Sequence, residues 1–64
     1  MRYREVERVL RNNGWILVRI NGSHHLFKHP HINYLAVVPN HGSADVSLGV
    51  LRSLQKGTGL SFLR

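Results

Sequence analysis

The chain has no cysteine, which excludes disulfide staples and thiolate metal centres and agrees with the reducing cytoplasm, where the protein is expected to work. Carboxylates are scarce: three Asp/Glu stand against nine Lys/Arg, for a formal net charge of +6. Chemistry that needs a pair of acidic side chains therefore has little to draw on. Long apolar runs are missing too. The longest are "WILV" at 15–18 and "YLAVV" at 34–38, far short of a membrane span or a signal peptide. Sixty-four residues amount to one small domain, 1–64, which buries only about 60 % of its unfolded surface. Any site is therefore expected on an open face or in a shallow groove.

What is present is positive charge, and it attracts polyanions and speeds their capture. Nucleic acid is the leading partner class, ahead of an acidic protein. No membrane partner is expected.

Periodicity divides the chain into five elements. In "YREVERVLRNN", 3–13, Val6, Val9 and Leu10 mark the buried stripe of a helix, and Gly14 stands where a left-handed cap belongs. Arg4, Arg8 and Arg11 recur along the opposite side, as a phosphate-gripping line or an ordinary solvated face. "WILVRI" at 15–20, "HHLFKH" at 24–29 and "NYLAVV" at 33–38 read as strands. They are separated by the turn "NGS" and bounded by Pro30 and Pro39, since proline cannot donate to a ladder. "NHGSAD" at 40–45 is a loop, and "SLGVLRSLQK" at 47–56 is a second helix with Ser47 as N-cap and Gly57 as its stop. The expected class is α+β: an α-β-β-β-α order with a three-stranded antiparallel sheet covered by two helices on one face.

Four of the five histidines crowd into "NGSHHLFKHPH", 21–31. Metal binding fits poorly. Zinc needs three or four ligands about 2.1 Å from one point, whereas His25 and His29 stand roughly 13 Å apart along a strand. His31 and His41 fall in loops. Alternation puts His24, Leu26 and Lys28 on one face and His25, Phe27 and His29 on the other. Phe27, the largest apolar residue of the strand, marks the side under the helices. His25 is then a structural histidine, and His24 lies on the open face beside Ser23, near Lys28 and Arg19. An imidazole there suits RNA cleavage: RNA supplies its own 2′-hydroxyl nucleophile, and histidine can accept or donate a proton near neutral pH. No metal or other cofactor is needed.

The run G-W-x-L-V-R-x-x-G-S-H-H-x-F-x-H-P at 14–30, followed by "LAVVP" and "GVLRSLQK", resembles the HicA family of bacterial toxins. Leu26 departs from that pattern, in which a polar residue is usual. The resemblance implies a fold like the double-stranded-RNA-binding domain and an mRNA interferase activity neutralised by a HicB-like antitoxin. It also implies that the first His after Gly-Ser, His24, is essential. On this reading His24 is the catalytic acid–base, while Ser23, Lys28, Arg19, Arg8 and Arg4 bind RNA by shape and backbone charge. The alternatives are a non-catalytic RNA-binding module on the same scaffold and a protein-interaction module with a basic face.

Overall fold

The computed structural model describes residues 1–42 and 44–62. Ser43, inside the loop expected at 40–45, lies outside the described residues, as do residues 63 and 64. The elements are α1 (Tyr3–Asn12), β1 (Ile16–Asn21), β2 (His24–His29), β3 (Ile32–Pro39) and α2 (Leu48–Thr58). The strands form one antiparallel sheet in the order β1-β2-β3, so β2 is central. The α+β class and the α-β-β-β-α order are those expected from the sequence.

Helix α1 ends because Gly14 takes a left-handed φ of 89°. The N–H of Gly14 then donates to Arg11 C=O and that of Trp15 to Leu10 C=O, which closes the last turn in a Schellman arrangement. Trp15 and Leu10 are both buried, the apolar contact that accompanies this motif. Trp15 precedes β1 and belongs to the core below it.

The β1–β2 turn differs from the expected one. Asn21 stays in the ladder opposite His24, and only Gly22 has positive φ, 62°. The two central residues are thus Gly22 and Ser23, with glycine first, as a type II′ hairpin requires.

One apolar cluster joins both helices to one side of the sheet. It includes Val6 and Leu10 of α1, Phe27 of β2, Ala36 and Val38 of β3, and Leu51 and Leu54 of α2. Phe27 is fully buried. Helix α1 lies along β2 and is tied to it at both ends. The Tyr3 hydroxyl and His25 Nδ1 share a hydrogen bond at 2.8 Å, and His29 Nε2 bonds the Asn13 carbonyl at 3.1 Å. The lengths match: ten helical residues rise about 15 Å, and four strand residues span about 13 Å.

Helix α2 opens on Ser47, whose hydroxyl accepts from the Val50 N–H. It runs past Gly57, which was expected to stop it, and ends at Gly59 with φ 76°. Gly57 has another role. The Tyr34 ring lies so close to its α-carbon that a side chain there would overlap the ring. Gly49, by contrast, faces open space.

Two glycine substitutions in α2 should therefore act in opposite directions. Gly57→Ala displaces Tyr34 and should cost about 1–3 kcal/mol. Gly49→Ala should stabilise by about 0.5–1 kcal/mol through helix propensity. Urea unfolding of the two variants measures both; equal effects would contradict the packing described.

Candidate functional site

The side of the sheet away from the helices can be read rung by rung. On the rung nearest the Gly22–Ser23 turn, His24 lies between Asn21 of β1 and Pro39 of β3. On the next, Leu26 lies between Arg19 and Val37. Lys28 follows, opposite Ile16. His24, Arg19 and Lys28 are exposed.

Arg19 reaches this face because of an irregularity. The register shifts between Leu17 and Arg19, so Leu17 still faces Phe27 while Arg19 faces Leu26. Unbroken alternation would have put Arg19 on the same side as Leu17, toward the helices. A bulge inserts one residue and re-aims those after it. Arg19 is therefore a diagonal neighbour of His24, about 7–8 Å away between backbones, and Lys28 lies about 13 Å along the strand.

The other β2 histidines are engaged in structure. His25 faces the helices and bonds Tyr3. His29 Nδ1 accepts from the His31 N–H at 3.0 Å, which leaves its Nε2 to donate to the Asn13 carbonyl. Its ring also meets Trp15 edge-on, with centroids 5.3 Å apart. Among the described residues, no three His, Asp or Glu side chains are grouped to hold a metal ion.

The remaining site residues separate by location. The half-buried Ser23 accepts the Asn40 N–H on its carbonyl at 2.7 Å. This bond extends the β2–β3 ladder beyond Pro39 and draws the following segment up to His24. As a result His24 shares a groove of about 320 Å³ with His41, Asp45, Ser47 and Val50. Sequence reading placed His41 only in a loop. With 16 residues between the two histidines in the chain, no spacing signal could have paired them. A larger groove, about 700 Å³, contains Arg4 with Asn40 and Gly42 but no histidine, and the groove beside His29 and His31 holds a histidine already engaged in structure, so the His24 groove is the better place for proton transfer. Arg4 and Arg8 are exposed on α1, and Arg8 lines neither groove.

From the Leu26 rung toward Lys28 the open face is largely apolar. Ile16, Val18, Leu35 and Val37 are exposed by 57, 51, 42 and 39 % respectively, and Leu26 is half-buried among them. Grouped exposed apolar residues of this kind mark partner surfaces.

Burial of the Tyr3 hydroxyl has an alkaline consequence. Burial pushes the Tyr3 hydroxyl up to about 12, helped by the Glu7 carboxylate and opposed by Arg11. In the unfolded chain the same group ionises near 10, so above that pH the folded state holds the extra proton. This contribution to stability is intact below pH 10 and is lost as pH rises through 12. Urea unfolding between pH 9 and 12 should show a steeper fall for the native chain than for Tyr3→Phe, which lacks the group; parallel falls would remove Tyr3 as the cause.

Comparison with known proteins gives one family. The model for the HicA toxin of bacterial toxin–antitoxin systems matches residues 3–60, which take in all five elements but no residue after Leu60. No curated protein matches the chain.

Proposed function

The chain belongs to the HicA family, toxins of bacterial toxin–antitoxin systems, and on that premise we propose that it is a metal-independent endoribonuclease acting on mRNA, with His24 as its catalytic acid–base. One observation carries the reading: His24 is exposed on the uncovered sheet face, while its two strand-mates are occupied in structural bonds. Cleavage of RNA needs the 2′-hydroxyl deprotonated, the departing 5′-oxygen protonated, and charge on the phosphorus-centred transition state offset. His24 takes part in the proton transfers. Arg19, on the adjoining rung, is close enough to offset charge at the same phosphate. Lys28, farther along β2, suits a neighbouring phosphate. Ser23 and the turn amides position the strand, and Arg4 and Arg8 extend the attracting field.

Membership of the family implies an antitoxin partner, which we take to be HicB-like. The apolar band of Ile16, Val18, Leu35 and Val37, which runs along the same open face from the rung beside His24 toward Lys28, supports that assignment. A partner that buries it also covers the imidazole, so one contact both holds and silences the toxin. No helix among the described residues is long and apolar enough to cross a membrane.

Purified protein in EDTA should degrade single-stranded RNA, and His24→Ala should abolish this while leaving the circular dichroism spectrum unchanged. A fully active His24→Ala protein would remove the assignment. RNA bound but never cut by the native chain would select a non-catalytic RNA-binding module instead. In binding titrations, Lys28→Ala or Arg19→Ala should each reduce the logarithmic salt slope by about 0.7, one phosphate contact on a single strand. Arg8→Ala should change it less; the reverse order would place the RNA on α1.

A further inference from the structure

We propose that His41 is a second catalytic residue of the His24 site, the general acid that protonates the leaving 5′-oxygen while His24 acts as the base. The inference deepens the ribonuclease reading above and rests on it. It starts from the groove that His24 and His41 both line. That placement is built by the backbone. His24 pairs with Pro39, and the Asn40 N–H to Ser23 C=O bond carries the ladder one step further. His41 stands two residues beyond Pro39, where β3 has ended, and its side chain lines the same groove as that of His24. Both residues are exposed.

The reaction asks for two groups in such an arrangement. In an in-line displacement the attacking O2′ and the leaving O5′ occupy opposite apices of the phosphorus, and one imidazole cannot serve both at once. With His24 neutral and His41 protonated, His24 takes the O2′ proton, the O2′–P bond forms, and the P–O5′ bond breaks. Its electron pair goes to O5′, which receives the His41 proton. The products are a 2′,3′-cyclic phosphate and a 5′-hydroxyl; His24 ends protonated and His41 neutral, and exchange with water restores both.

The rest of the groove offers no better donor. Asp45, its one carboxylate, is paired with Arg2 at 3.3 Å. The Ser47 oxygen accepts the Val50 N–H at the start of α2. Pro39 of β3 and Val50 of α2 add no charge. His24 on β2 and Asp45 in the loop are accordingly the titratable groups that share the groove with His41.

The test uses the full chain and two RNA oligonucleotides that differ at the mapped cleavage position: one natural, one with the bridging 5′-oxygen replaced by sulfur. A thiolate departs without a proton, so the sulfur substrate needs the base but not the acid. On natural RNA, His41→Ala should lower the cleavage rate by about 10²–10⁴-fold, the usual worth of one positioned acid. The fall in rate at alkaline pH should also disappear. On the sulfur substrate His41→Ala should recover to within about tenfold of the native chain, whereas His24→Ala should stay inactive on both.

Full activity of His41→Ala on natural RNA would overturn the proposal alone, leaving His24 and the ribonuclease reading in place. A loss that the sulfur substrate does not repair would likewise overturn it, making His41 a binding or structural residue; His41→Gln, with matched circular dichroism, guards against misfolding. A native chain that cleaves neither substrate would overturn the ribonuclease reading and this inference with it.

Discussion

Burial of Phe27 is the constraint on which the rest depends. It sits at the middle of the central strand with no exposed surface, against apolar residues from both helices. Because strand side chains alternate, this one burial determines where every other β2 side chain points. A slip of one residue would bury His24 and Lys28 and turn Phe27 out to water. The apolar contribution of a fully buried phenylalanine, about 1.5–3 kcal/mol, thus also maintains the exposed position of the candidate catalytic imidazole.

The histidines divide their work accordingly. On the helix side of β2, His25 and His29 flank Phe27 and bond opposite ends of α1. His25 gives the Tyr3 hydroxyl a partner where packing takes it partly out of water, and a buried polar group without one is costly; the His29 bond to Asn13 is exposed. Composition alone cannot make that distinction, because the same residue type serves as a helix tie at 25 and 29 and as an exposed imidazole at 24.

Charge follows the same division. The three carboxylates lie outside the strands, and each has a partner: Glu5 accepts the Arg2 N–H, Glu7 pairs with Arg11, and Asp45 pairs with Arg2. The strands carry Arg19 and Lys28 and no acidic residue, so the open face keeps a positive field beside its apolar band. On the proposed function, a surface that is apolar and cationic together suits a polyanion and then a protein that covers it.

Much of this was legible in the chain. Two helices and three strands follow from periodicity, caps and prolines, and the alternation of "HHLFKH" assigned His24 and His25 to opposite faces, because strand periodicity is a local property. Three features were not legible. The bulge that turns Arg19 outward arises from pairing between strands. Gly57 looks like a helix stop, yet it is occupied by the approach of Tyr34, a contact between residues far apart in the chain. His41 reaches the His24 groove only through a ladder that joins Ser23 to Asn40. The sequence by itself thus determined the elements, the faces of β2 and the sign of the field, all set by neighbours a few residues away. Tertiary structure decided which distant side chains share a site, since that depends on strand register and on which backbones pack close enough to touch.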